Sequence, residues 1–130
     1  MNYPLISEYI EAIRFAEDNF ATLTNLRPVL EENGNPVMSS GNFAVVFKME
    51  DIETGEFKAV KCFTRDQEGR KDAYKAISQS IASLKSKYFT YIKYLEFELY
   101  VESKSTDETE FPVLLMDWVE GLTLDKYIDE

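Results

Sequence analysis

The stretch from Pro36 to Phe63 constrains the fold more than any other. It reads as two strand-like runs, Pro36 to Met49 and Phe57 to Phe63, joined by a polar turn centred on Thr54-Gly55. Apolar runs bounded by such a turn signal a hairpin. In the second run, alternation sets Phe57, Ala59, Lys61 and Phe63 on one face and Lys58, Val60 and Cys62 on the other. Lys61 thus shares a face with apolar side chains, where an ammonium needs an anionic partner. Just before the strand-like part of the first run lies the small-residue loop Ser39-Ser40-Gly41-Asn42, with free backbone N–H groups. Backbone N–H groups in such a loop can cradle phosphate oxygens.

The remaining segments supply partners for this hairpin. Ile6, Tyr9, Ile10 and Ile13 recur at helical spacing, so Met1 to Asn19 reads as a helix that packs on the sheet. Phe20 to Leu30 reads as an extended leader and Glu31 to Pro36 as a turn. Tyr74, Ile77, Ile81 and Leu84 give a second helical stripe over Arg70 to Lys85. Tyr88 to Val101 is aromatic and β-branched, one or two strands with Tyr91, Lys93, Leu95, Phe97 and Leu99 in one phase. Glu102 to Glu110 is a polar loop, and Phe111 to Met116 a short buried strand. The expected class is α+β: an antiparallel sheet of about five strands, one long packed helix and an N-terminal helix. Residues 1–35 form the leader and residues 36–130 the main unit.

Composition excludes several functions. With one cysteine and no histidine, neither an internal disulfide framework nor histidine-based catalysis is available. The single thiol fits a reducing, cytoplasmic setting. No apolar run approaches the roughly eighteen residues of a membrane span. A net charge of −10 disfavours nucleic acid as a partner. The charge is uneven, because Lys58 to Lys93 holds nine basic residues against three acids. That stretch reads as a solvated helix face or as a patch for phosphate or an acidic surface. Asp107, Glu108 and Glu110 lie in the polar loop and read as solvated surface.

The hairpin and the final strand together resemble the nucleotide-binding lobe of the eukaryotic-type protein kinase family. That family pairs a Gly-rich loop with an Ala-x-Lys strand. Here the loop is Ser39-Ser40-Gly41-Asn42-Phe43-Ala44-Val45-Val46, with Ser39 and Ala44 in place of the outer glycines, and Ala59-x-Lys61 follows. Asp117 to Leu124 looks like the connector between the family's two lobes. The resemblance covers Pro36 to Glu130 and implies ATP as ligand. Lys61 is then the catalytic lysine that holds the α- and β-phosphates, with Ser39, Ser40, Gly41, Asn42, Phe43 and Ala44 covering them. Met38, Val46, Ala59 and Met116 enclose the adenine. The Asp117 carbonyl and Val119 amide bind its edge, and Thr123 falls near the ribose.

In the family, a helix glutamate pairs with the strand lysine. No acid occurs between Asp72 and Glu96, and the family's glutamate position falls near Ile77. The aspartates that hold magnesium and accept the substrate proton belong to a second lobe, and none of its motifs occurs here. The expectation is therefore an ATP-binding lobe, inactive alone, truncated before a catalytic lobe that is its missing partner and that alone would bring magnesium. Met116, Trp118 and Leu122 are expected to be exposed at the interlobe surface and to favour a homodimer. The alternatives are a non-catalytic, pseudokinase-like interaction module and an unrelated α+β protein.

Overall fold

The computed structural model describes residues 3–41, 43–65 and 92–119. The helix expected over Arg70 to Lys85, and the residues Asn42, Leu122 and Thr123, lie outside them.

Among the described residues, six antiparallel strands form one sheet: β1 (Leu26–Pro28), β2 (Met38–Ser40), β3 (Ala44–Asp51), β4 (Phe57–Phe63), β5 (Ile92–Tyr100) and β6 (Glu110–Asp117). The order is β1-β3-β4-β6-β5, with β2 also on β3. β1 pairs with residues 49–51 and β2 with residues 45–47 of the same β3 edge, so six strands fill five positions. Between them the chain loops out over residues 30–36 and is pinned at the loop's neck by a Leu30–Pro36 bridge. Gly34, at φ +85°, lets the loop turn.

The β3–β4 hairpin forms as its alternation dictates. Asp51 donates its N–H to the Glu56 carbonyl, and Gly55 donates back to Asp51 at 2.7 Å. The backbone there reaches φ +76°, which glycine adopts without the Cβ clash of other residues. β4 continues the sheet through β6, pairing Ala59 with Met116 and Lys61 with Leu114.

The sheet's two faces carry separate cores. On one face Val45, Phe47, Met49, Val60, Cys62, Val113 and Leu115 pack against Tyr9, Ala12, Ile13 and Ala16. These last four belong to α1 (Ile6–Arg14) and α2 (Ala16–Asn19). The expected N-terminal helix is therefore present, as two pieces that break at Phe15. Its apolar stripe is inward: Tyr9 and Ile13 are fully buried, while Ile6 and Ile10 are half-buried. The Tyr9 hydroxyl donates to the Phe63 carbonyl at 2.6 Å and ties the helix to the end of β4. Burying a side chain of this size contributes about 1.5–3 kcal/mol. The opposite face carries Ala44, Val46, Ala59, Phe63, Leu114 and Met116.

β5 is one strand but not a regular one. Leu95 pairs with Val113 and Leu99 with Phe111, so four residues on β5 match two on β6. Within this bulge Phe97 has φ +53° and is 64% exposed. The expected common phase of Lys93, Leu95, Phe97 and Leu99 is thus broken, and Phe97 points out while Leu99 is buried. The bulge turns Glu98 inward to 3% exposure. Its carboxylate accepts from the Thr22 N–H at 2.7 Å, the Thr22 hydroxyl at 2.6 Å and the Leu23 N–H at 3.0 Å. Three donors satisfy a buried carboxylate that would otherwise be costly.

Candidate functional site

Antiparallel register arranges the second face as rows across the strands. One row runs Ser39, Val46, Lys61, Leu114, Tyr94 over β2, β3, β4, β6 and β5. The next runs Lys48, Ala59, Met116. Because paired residues point the same way, these side chains share one surface. The α1–α2 pair packs on the other side of the sheet and leaves this surface to other parts of the chain.

These rows carry two lysines, Lys61 in the first and Lys48 in the second, and Lys61 is the buried one. Its side chain is 5% exposed, so it faces the interior of the protein and not open solvent. Val46, Ala59 and Met116 beside it are each fully buried. The expectation that Lys61 lies among apolar neighbours holds. The expectation that Met116 is an exposed interlobe residue does not: the chain itself covers it, and Trp118 is half-buried. Cys62, next in sequence, lies on the opposite face, where burial pushes its thiol pKa up.

Met38 was expected beside Val46 and Ala59, and the register separates them. Met38 pairs with Phe47 and packs in the other core, whereas Ser39 pairs with Val46. A shift of one residue moves a side chain to the opposite face, so Ser39 stands where Met38 was read. The tip between β2 and β3 is tight. Gly41 donates its N–H to the Ala44 carbonyl at 2.8 Å, and the Phe43 carbonyl accepts from the Thr64 N–H at 2.7 Å. The Gly41 amide, read as open to phosphate, is used within the loop. Ser40 and Gly41 are exposed, Phe43 is 42% exposed, and Ala44 is buried.

At the far end of the face, β6 stops at Asp117, and Trp118 and Val119 continue without regular structure against the Val46–Met116 cluster. The Asp117 carboxylate lies 3.1 Å from Lys58 Nζ, which anchors the start of the connector to β4. A half-exposed pair of this kind contributes up to about 1 kcal/mol. Lys48 Nζ lies 4.4 Å from the ring centroids of both Phe57 and Trp118. Each such contact is worth about 0.5–2 kcal/mol, depending on its desolvation. Sequence reading gave Lys48 no part, although it falls in phase with Val46 two residues earlier. Period-2 alternation alone would have placed it on this face.

Lys61, Val46, Ala59, Met116 and Ser39 are thus brought together, with Trp118 and Val119 at the end of the same surface, whereas the Asp117 side chain falls in the Met49–Lys58 row of the opposite face. Among the described residues no group of three or more His, Cys, Asp or Glu side chains is placed to hold a metal ion. No helix among them is long and apolar enough to cross a membrane. A separate surface groove of about 360 Å³ is lined by Glu8, Glu11, Phe15, Tyr100 and Glu102. Its carboxylates would repel a phosphate. Comparison with protein-family models, with curated proteins and with solved structures finds no match to this chain.

Proposed function

We propose that this chain is the ATP-binding lobe of a serine/threonine-type protein kinase, with Lys61 as the residue that meets the nucleotide's phosphates. The observation that carries this reading is the burial of Lys61 in the row Ser39–Val46–Lys61–Leu114, on the face shared with Ala59 and Met116. An ammonium set against apolar walls is a point charge suited to phosphate oxygens. The apolar surface next to it, edged by an extended connector, suits a flat heteroaromatic ring. The adjacency β2–β3–β4–β6 supports the same reading, because it puts the small-residue loop, the lysine and the connector on consecutive strands. Adenine would contact Val46, Ala59 and Met116. Its edge would meet the Asp117 carbonyl and the Val119 amide. Transfer itself needs magnesium and an aspartate base, which the family draws from a second lobe.

A second reading, a non-catalytic interaction module on the same scaffold, is favoured by the acid-free stretch between Asp72 and Glu96. Calorimetric titration with ATP tests the binding that the first reading requires. Saturable binding is expected, with a loss of about 10- to 100-fold in Lys61→Met, the scale of one charge-assisted hydrogen bond. Equal binding by both proteins would remove Lys61 from the site, and the absence of binding would leave the module reading.

A further inference from the structure

The residues proposed to meet adenine are already covered. Val46, Ala59 and Met116 have no exposed surface. A purine reaches them only if a group now packed on them moves. Among the described residues, four half-buried side chains pack on this cluster: Tyr3, Tyr94, Trp118 and Val119. Tyr94 is fixed in the β5–β6 ladder opposite Leu114. Trp118 lies just past the last ladder residue, Asp117, so its side chain can swing without breaking a strand pair. One contact that holds it is Lys48, in the Lys48–Ala59–Met116 row, with its ammonium 4.4 Å from the indole. Phe57 takes the same ammonium at an equal distance, so Lys48 stays on the face when Trp118 leaves.

We propose that Trp118 is a self-occluding gate over the nucleotide face. Lys48 holds its indole on the Ala59–Met116 row, and an adenine ring enters by displacing it. The inference rests on the ATP-binding reading and adds how that site is closed. The flat, electron-rich indole occupies the kind of surface that a purine requires. Binding therefore selects the state with Trp118 released, and the contact with Lys48 lowers the apparent affinity about five- to thirtyfold.

The test compares ATP affinity by calorimetry for the full chain, Trp118→Ala and Lys48→Met, with circular dichroism to confirm folding. Both substitutions open the gate by different routes, so the second decides if the first does not fold. Each is expected to bind ATP about five- to thirtyfold tighter than the parent. Affinity for inorganic triphosphate, which has no ring to seat, is expected to stay unchanged. Trp118 is the sole tryptophan, so its emission should shift to the red as ATP saturates the parent chain. Equal or weaker ATP binding by both variants, beside a parent that binds, would overturn the gate and leave the nucleotide reading standing. A parallel change for ATP and triphosphate would assign the effect to general loosening and also overturn it. No ATP binding by any of the three proteins would overturn the gate and the nucleotide reading together.

Discussion

Two buried or tethered carboxylates show what single side chains do in this protein. Glu98 gathers three donors from Thr22 and Leu23. Glu98→Ala leaves those donors without their acceptor, and a loss of roughly 2–4 kcal/mol is expected in urea unfolding. A change below about 0.5 kcal/mol would show that water replaces the carboxylate. Glu8 joins distant parts of the chain: it accepts from the Leu5 N–H at 2.8 Å, the Ser103 hydroxyl at 2.7 Å and the Lys104 N–H at 2.8 Å. These bonds, the Ser103 hydroxyl foremost, hold its pKa below the usual glutamate value. A folded-state pKa lowered in this way gives stability that is full above the unfolded value, about 4.3. It fades as pH falls through the folded value. Thermal melts between pH 6 and 3 should therefore fall less steeply for Glu8→Gln than for the parent, and parallel curves would contradict this.

The strands show how far elements can be read from sequence. β3, β4 and β6 follow their apolar runs, and the Thr54-Gly55 turn is where composition puts it. α1 buries the Tyr9–Ile13 stripe that its spacing announces. The Tyr9 hydroxyl bond to Phe63 is a tertiary contact 54 residues away, and local pattern does not contain it. Tyr9→Phe keeps the ring but leaves the buried carbonyl unpaired. It should cost about 1–3 kcal/mol, measured as a lowered melting temperature with an unchanged circular dichroism spectrum. An unchanged melting temperature would mean that the helix is held by packing alone. β5 was misread in phase because a bulge adds residues that alternation cannot register, and Glu98, in phase with Glu96, gives no sign of it in the sequence. Met38 was set on the wrong face for a related reason. The sequence reads Ser39 to Asn42 as a loop and gives no pairing for β2, so it does not fix which residue faces Val46, and a one-residue difference in pairing reverses the side.

For the whole molecule, the sheet divides the described residues into two cores, one on each face. The N-terminal helices occupy one face and are fastened through Tyr9 and Glu8, while Glu98 holds the segment that follows them at Thr22 and Leu23. The other face gathers Ser39, Val46, Lys48, Ala59, Lys61 and Met116 from strands remote in sequence. The lysine and its apolar neighbours were legible because each sits in a short patterned run, whereas Ser39 and Ser40, read as loop, belong to β2. The role of Lys48 was not, since its ring partners lie 9 and 70 positions away and only the folded register joins them. The central claim is that Lys61 is a nucleotide-facing ammonium in a closed site. Its most direct test is affinity labelling with an acyl phosphate of ATP, which transfers its acyl group to a lysine beside the bound phosphates. Peptide mass spectrometry should find Lys61 acylated ahead of Lys48, Lys58 and Lys93, with excess ATP suppressing the label. Label spread over exposed lysines and indifferent to ATP would contradict the account.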